Sequence, residues 1–422
     1  MLIKFFLDNF QAFNALVELN LEADLRTKKF MTNVALHEQG NVVKSAAIYG
    51  PNNTGKTCLI DAIRAYRSVL LNKGIKLQSN LYSDSTIVKL GAEFIIDEKR
   101  YMYCFSYDSQ KEVFIEEEFV HVILDQYGNL AKKEYFHRNT ETKTTKSTDD
   151  KLSASMGFST KDNILINTLD TTEFPLLAEA KEILLKFAKG LSILSMQSIQ
   201  PFKTIEMLKT PAALEAKQIV ELIKKADLDI DDFRLDEKLS EAFSIKVVEN
   251  KEKTKDIQDT DRVAEVLKLT SVHKGVSLPS IIFDSLGTKK IVSLASYLVS
   301  CLNSGGTLII DELDSGIHFK LSRSIISLFN NSLNKNGQLI FSTHDASLLD
   351  IKTLFRKEQL WFTDKDQNQV YLYSLSNFTA QNSSIRLDSN LYDYYSKGLL
   401  GALPDPSLID ILLTWDGDDD YE

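Results

Sequence analysis

The sequence Gly-Pro-Asn-Asn-Thr-Gly-Lys-Thr at residues 50–57 restricts the fold of this chain more than any other segment. Two glycines frame four residues, and a lysine and a threonine follow, which is the spacing of a loop that surrounds phosphate groups with backbone N–H groups. The apolar residues 42–49 predict a strand before this phosphate loop, and apolar residues at helical spacing over 59–70 predict a helix after it. This context indicates an α/β fold.

The phosphate loop would supply most of a nucleotide site. Its backbone amides and the positive end of the following helix would hold phosphates. Lys56 would reach the β- and γ-phosphates, and the Thr57 hydroxyl would bind Mg²⁺. We therefore expect ATP and Mg²⁺ as cofactors, with GTP left open because no residue identifies the base. The predicted cofactor-binding residues here are Gly50, Asn52, Asn53, Thr54, Gly55, Lys56, Thr57 and Cys58.

A second motif supplies acidic residues. Residues 307–310 predict a buried strand, and Asp311 and Glu312 follow at its carboxyl end, where ligands bind in α/β sheets. Asp311 would hold Mg²⁺ through water, and Glu312 would polarise a water for attack on the γ-phosphate. Taken alone, such a run is often a simple surface strand end, but the phosphate loop upstream favours the functional interpretation.

Two further segments carry polar residues at the ends of predicted elements. In FDSLGTKK, residues 283–290, Ser285 and Gly287 open an apolar helix shortly before the acidic strand. Such a helix N-terminus can hold an anion, and the alternative is that Ser285 is a simple helix cap. His344 follows the strand predicted at 338–342, where a single histidine is usually structural.

In this order the motifs resemble the ABC-type ATPase domain shared by RecF, SMC and OLD proteins. The resemblance is strong to the bacterial AAA-family ATP/GTP phosphatases, which include RloA-like and abortive-infection ATPases. It covers most of the chain and rests on the segments IKFFLDNFQAFNALVELNLEA, GPNNTGKT, SVHKG, FDSLGTKK, LIIDELDSGIH, FSTHDASLLD and RKEQLWFTDKD. It implies a P-loop NTPase of ABC-ATPase type with an antiparallel β-subdomain and a helical insertion.

The resemblance also implies roles for single residues. Ser285 and Gly287 of one chain would cap the γ-phosphate that a second chain holds, so the chain would form a homodimer or a higher homo-oligomer. His344 would sense the γ-phosphate, and residues 314–318 would form a dimer-contact loop. Glu312 and His344 are thus the predicted catalytic residues, and Thr57 and Asp311 the predicted metal ligands.

The chain departs from the family pattern in several places. Residues 9–11 read Asn-Phe-Gln rather than Asn-Phe-Arg, and the segment at Ser285 reads Ser-Leu-Gly-Thr rather than Ser-Gly-Gly. The glutamine that usually couples the nucleotide to the insertion has two candidates, Gln110 and Gln197. The segment after His344 lacks the Glu-Gly and Asp-x-Asp pattern of the OLD nuclease in a suitable context. We therefore expect an ATPase without its own nuclease.

Four segments are predicted along the chain. Residues 1–140 would form a first ATPase lobe with the phosphate loop and a β-meander, and 141–270 a polar loop and the helical insertion. Residues 271–375 would form a second ATPase lobe, and 376–422 a C-terminal segment with an acidic tail. The polar composition of residues 138–155 predicts a mobile loop.

Composition excludes some partners. A net charge of −10 argues against a protein that coats nucleic acid with its whole surface, although a local basic groove for DNA is still possible. The apolar runs are far shorter than the roughly 20 residues that span a bilayer. The three cysteines lack metal-type spacing and suggest reduced thiols. We therefore expect a cytoplasmic protein without a membrane partner.

Together these features predict a dimeric switch that binds and hydrolyses ATP. The resemblance implies the sensor ATPase of a prokaryotic anti-phage, or abortive-infection, system that acts with a separate nuclease or toxin as its effector. Two alternatives stay open: an ATP-gated scaffold that hydrolyses little, and a RecF-like DNA-repair ATPase that binds duplex ends.

Overall fold

The computed structural model describes residues 1–74, 77–124, 129–226, 229–238, 257–378 and 390–403. The strands in these ranges are β1 (Leu2–Asp8), β2 (Val17–Asn20), β3 (Val34–His37), β4 (Gly40–Val43), β5 (Ser45–Tyr49), β6 (Ile87–Ile96), β7 (Lys99–Asp108), β8 (Val113–Leu124), β9 (Leu130–Asn139), β10 (Thr144–Ser147), β11 (Leu191–Ser195), β12 (Asp232–Leu235), β13 (Leu269–His273), β14 (Val276–Pro279), β15 (Gly306–Asp311), β16 (Gly337–Ser342), β17 (Leu360–Asp366) and β18 (Gln369–Ser374). The α-helices are α1 (Lys56–Leu70), α2 (Asp150–Met156), α3 (Leu165–Thr168), α4 (Pro175–Gly190), α5 (Phe202–Leu208), α6 (Leu214–Lys225), α7 (Ile257–Leu267), α8 (Ser280–Phe283), α9 (Leu286–Ser304), α10 (Phe319–Phe329) and α11 (Leu391–Ser396).

A mostly parallel sheet brings the predicted motifs to one edge. Its strand order is β11-β15-β16-β5-β17-β18, and only β18 runs antiparallel to its neighbour. The strand before the phosphate loop, β5, and the acidic strand, β15, both pair with β16. Because the carboxyl ends of parallel strands meet at the same edge, Gly50, Asp311 and Thr343 leave their strands side by side.

A larger antiparallel sheet covers the other side of helix α1. Its order is β10-β9-β8-β7-β6-β1-β2, which confirms the meander predicted for β6 to β8 and adds β9 and β10 at one edge and β1 and β2 at the other. One apolar core joins both sheets through α1, whose Tyr66 hydroxyl donates to the Tyr103 carbonyl at 3.0 Å. On the same core, the Phe187 ring of α4 stacks on Phe94 of β6 at 3.9 Å between centroids. Helix α1 contacts β6 of the antiparallel sheet and β15 of the parallel sheet, and these contacts on two sides hold the phosphate loop at its N-terminus.

The helical part of the chain packs around α9. Helices α5 and α6 and the three-stranded sheet β12-β13-β14 share a core with α9 that includes Ile219, Phe233 and Val292. By contrast, α4 packs on the antiparallel sheet and β11 belongs to the parallel sheet, although both lie inside the predicted segment 141–270. The bounds of the four segments predicted from the sequence remain a prediction. Within the described ranges, no helix has the length and apolar character needed to cross a bilayer.

Two local predictions are wrong. Residues 42–49 form two strands rather than one, because β4 pairs with β3 while β5 pairs with β16 and β17. Lys44 lies between them, and its Nζ donates to the Asn331 carbonyl at 2.9 Å. The polar stretch 138–155 contains the end of β9, strand β10 and helix α2 instead of a mobile loop.

The order in the polar stretch has a physical cause. Arg138 of β9 and Glu117 of the neighbouring strand β8 are each 1% exposed and form an ion pair. Arg138 also donates to Ser159 Oγ at 2.6 Å and to the Thr160 carbonyl at 2.8 Å, while Asp149 caps helix α2. A buried charge is tolerated only with such partners, and they hold the segment against the sheet. The acidic tail at 416–422 lies outside the described residues.

Candidate functional site

The phosphate loop has the backbone conformation that its glycines allow. Gly55, the residue before α1, has φ 92°, and a Cβ there would lie 3.1 Å from the Phe13 ring. A Cβ on Gly50 would lie 2.6 Å from the Thr363 carbonyl oxygen. Thr54 Oγ1 closes the loop by donating to the Pro51 carbonyl at 2.8 Å. Side chains at Gly50 and Gly55 would therefore clash with their surroundings, and the loop leads directly into the N-terminus of α1, where backbone N–H groups can bind an anion.

Lys56 folds back over the loop. Its Nζ donates to the carbonyls of Gly50 and Pro51, at 2.6 and 2.8 Å. Burial lowers the pKa of Lys56 to about 8, and the nearby carboxylates, first Asp311 and then Glu312, oppose that shift. A buried ammonium held by carbonyl oxygens can exchange these contacts for phosphate oxygens, which are stronger acceptors because they are charged.

The acidic pair is held by the neighbouring strand. Thr57 Oγ1 donates to Asp311 Oδ2 at 3.1 Å, and Ser342 Oγ of β16 donates to Asp311 Oδ1 at 2.5 Å. Ser342 Oγ also accepts from the Glu312 backbone N–H at 2.8 Å. Glu312 has φ 56°, a conformation that costs a non-glycine residue about 1–3 kcal/mol and occurs often at functional sites. Ser342 therefore orients both acids.

A cavity of about 270 Å³ collects most of the predicted residues. Its lining residues are Ala12, Asn52, Asn53, Gly55, Lys56, Thr57, Cys58, Asp311, Glu312 and His344. The hydroxyl of Thr57 and the carboxylate of Asp311 are hard oxygen ligands of the kind Mg²⁺ prefers, and a single carboxylate with phosphate oxygens is its usual protein site. The donors present thus fit Mg²⁺ and a triphosphate.

His344 lines the cavity. Burial, and then the charge of Lys56, lower the pKa of His344, which favours the uncharged imidazole. Its backbone N–H lies 3.3 Å from both carboxylate oxygens of Asp314. A neutral imidazole can donate one hydrogen bond to a phosphate oxygen and accept one from a water.

The structure favours one of the two candidate glutamines. Gln197 follows β11, which pairs with β15, and its Nε2 donates to Glu312 Oε2 at 2.6 Å. Gln110 lies instead in the turn between β7 and β8, where its N–H donates to Asp108. The sequence alone offered no way to choose, because the position of Gln197 depends on the pairing of β11.

Ser285 and Gly287 do not line this cavity. Ser285 caps α9: its Oγ accepts from the Thr288 N–H at 3.1 Å and contacts Thr288 Oγ1 at 2.8 Å. Asp284, directly before it, bonds Ser271 Oγ at 2.8 Å and lies 3.0 Å from Nε2 of His273. Within one chain Ser285 is thus a helix cap, and its turn is separate from the Lys56 cavity.

A second cavity adjoins the first. It measures about 460 Å³ and shares Ala12 and Asn53 with the phosphate cavity. The sequence motifs do not indicate this cavity, because its walls come from segments far apart in the chain. Its other lining residues are Gln11, Leu77, Gln78, Ser79, Asn80, Leu81, Tyr82, Ser109, Lys365 and Asn368.

The fold and the site define a mixed α/β domain with a P-loop and an antiparallel sheet, which confirms the predicted fold class. The family described as "AAA domain, putative AbiEii toxin, Type IV TA system" matches residues 45–350, and the chain belongs to this family. This confirms the resemblance to the abortive-infection ATPases.

Two solved structures are similar over nearly their whole length. The SMC head domain from Thermotoga maritima is 12% identical, with a TM-score of 0.43 over 88% of this chain and 98% of that one. The SmcHead bound to the C-winged helix domain of ScpA is 11% identical, with a TM-score of 0.46 over 90% and 98%. Both similarities are distant. Among curated proteins, none matches the chain.

Proposed function

We propose that the chain binds and hydrolyses ATP as a head-to-tail dimer. The observation that carries this proposal is the division of the site: Lys56 and Glu312 line one cavity, whereas Ser285 and Gly287 open a helix outside it. A second copy that presents its Ser285 turn to the Lys56 cavity would complete two equal sites, as a closed twofold dimer requires.

Each residue would have a separate task in hydrolysis. Lys56 and the loop amides would hold the phosphates, and Thr57 with Asp311 would hold Mg²⁺, which neutralises phosphate charge when bound. Glu312 would take a proton from the attacking water, and Gln197 would fix the Glu312 carboxylate through their 2.6 Å hydrogen bond. His344 would contact the γ-phosphate side of the cavity.

The adjoining cavity would receive the base and the ribose. It shares Asn53 with the phosphate cavity, and Glu312 lines the phosphate cavity but not this one. Tyr82 is mostly exposed there and offers a ring on which a base could stack. Both ATP and GTP satisfy this description.

The experiment that tests the dimer is sizing of Glu312→Gln protein. Without an activated water, bound ATP persists, so we expect a dimer with ATP and Mg²⁺ and a monomer without nucleotide. Lys56→Ala, which removes the phosphate ligand, is the matched control and should stay monomeric. A Glu312→Gln protein that is monomeric with ATP at every concentration would refute the proposal.

We further propose that this ATPase is the sensor half of a prokaryotic anti-phage system. The family description, "AAA domain, putative AbiEii toxin, Type IV TA system", supports a toxin–antitoxin context for this role. The helices and three-stranded sheet around α9 would offer a docking surface for a separate nuclease or toxin, and nucleotide state would hold or release it. Phage plating on cells with the intact locus should show protection that Lys56→Ala or Glu312→Gln abolishes. Equal protection by the variants would refute the defence role.

A further inference from the structure

Lys290 of helix α9 is a buried lysine that no step above uses. It is 9% exposed, and its Nζ donates to the Ser315 carbonyl at 2.7 Å and lies 3.2 Å from Ser315 Oγ. Burying an ammonium is costly unless it is hydrogen-bonded, so these contacts hold the side chain in one place. Lys290 therefore joins the helix that Ser285 opens to the loop of residues 314–318.

A second contact joins the same two segments. A Cβ on Gly287 would lie 2.9 Å from the Gly316 carbonyl oxygen, so the two backbones are in close contact. Gly316 has φ 75°, and a Cβ there would lie 2.9 Å from Lys290 Nζ. The turn at Ser285 and the 314–318 loop can therefore move only together or by breaking both contacts.

The loop leads directly to the phosphate cavity. The Ser315 N–H donates to the Glu312 carbonyl at 2.9 Å, and the Asp314 carboxylate faces the His344 N–H at 3.3 Å. Glu312 has a left-handed backbone, and such a conformation persists only while its surroundings impose it. A change in the position of Ser315 thus acts on the two residues proposed for catalysis.

We propose that Lys290 is a positioning residue that makes Glu312 depend on the nucleotide in the opposite half of the dimer. The inference rests on the proposed function, in which Ser285 contacts ATP held by the partner. That contact shifts or fixes the first turn of α9. Lys290 transmits this change to Ser315 through its hydrogen bonds, and Ser315 in turn aligns Glu312 of the same chain. ATP bound at one site would then affect hydrolysis at the other site.

The simpler view is that Lys290 only supports Ser285, and mixed dimers separate the two. One protomer carries Glu312→Gln, so that ATP turnover comes only from the other protomer. If Lys290 aligns Glu312, Lys290→Met in the hydrolysing protomer lowers kcat about tenfold, whereas the same change in its partner leaves kcat within about twofold. If Lys290 only supports Ser285, the pattern is reversed, because the partner's Ser285 caps the nucleotide being hydrolysed.

The design includes controls for charge and for folding. Lys320→Met removes the same charge from an exposed position close to the loop and should leave kcat within about twofold in either protomer. Lys290→Gln, which keeps a donor, is tested in the same two placements in case Lys290→Met does not fold. The proposal is overturned if Lys290→Met lowers kcat mainly when it is in the partner, if it lowers kcat equally in both placements, or if it lowers kcat in neither. If protein with the native Lys290 does not form the dimer, the proposed function itself is refuted. Failure of the Lys290 proposal and failure of the proposed function are therefore distinguishable.

Discussion

Ser342→Ala tests how the acidic pair is oriented. Ser342 is fully buried in β16, and its hydroxyl bridges the Asp311 carboxylate and the Glu312 N–H, at 2.5 and 2.8 Å. The substitution removes both bonds. Among the described residues, Asp311 then keeps the Thr57 hydroxyl as its side-chain hydrogen-bond partner.

The expected size follows from these contacts. A hydrogen bond to a charged group contributes about 1.5–3 kcal/mol, which corresponds to about 10- to 150-fold in an equilibrium constant. Loss of a partner that orients a metal ligand lowers metal affinity or activity about 10- to 100-fold. We therefore expect the Mg²⁺ concentration for half-maximal ATP turnover to rise about 10- to 100-fold in Ser342→Ala.

The assay is steady-state phosphate release over a Mg²⁺ titration at fixed ATP. Ser296→Ala is the matched control, because Ser296 is equally buried in α9 but its hydroxyl has no hydrogen-bond partner in the described part of the chain. That variant should behave like the wild type. The reasoning fails if Ser342→Ala shows the wild-type Mg²⁺ dependence, or if both serine variants lose activity equally.

Three further outcomes are expected. Gly55→Ala should lower ATP affinity measured by calorimetry at least about tenfold, because a Cβ at φ 92° would crowd the Phe13 ring; unchanged affinity would contradict this. Arg138→Met should lower the free energy of unfolding by about 3–5 kcal/mol in denaturant titrations, because the buried Glu117 carboxylate would lose the opposite charge that compensates it; a change below about 1 kcal/mol would contradict this. ATP affinity should fall as pH rises through about 8, because the buried Lys56 loses its charge there, and Lys56→Ala should lack this dependence.

Much of the site could be predicted because each motif is a short continuous segment. The phosphate loop carries its own glycines and lysine, and Asp311 and Glu312 follow an apolar run that must be a buried strand. The rule that parallel strands end at a common edge then brings these segments together without further information. The same rule brings His344 to this edge, because His344 follows β16, and β16 lies between β15 and β5.

Other features depended on partners far away in the sequence. Gln197 reaches Glu312 only because Leu191 of β11 pairs with Thr307 of β15, and nothing in the local sequence indicates that pairing. Lys290 and Ser315 stand in two separate motifs, FDSLGTKK and LIIDELDSGIH, and neither motif indicates that the two residues contact each other.

The sequence by itself determined the nucleotide-binding class of this protein, since backbone conformation and phosphate chemistry are encoded within a few adjacent residues. Only the tertiary structure decided which polar residues are buried. The stretch 138–155 is polar enough to suggest a solvated loop, yet Glu117 stands opposite Arg138 on the next strand and removes the cost of burying it. A charge is stable inside a protein only beside its partner, and that partner is chosen by the fold.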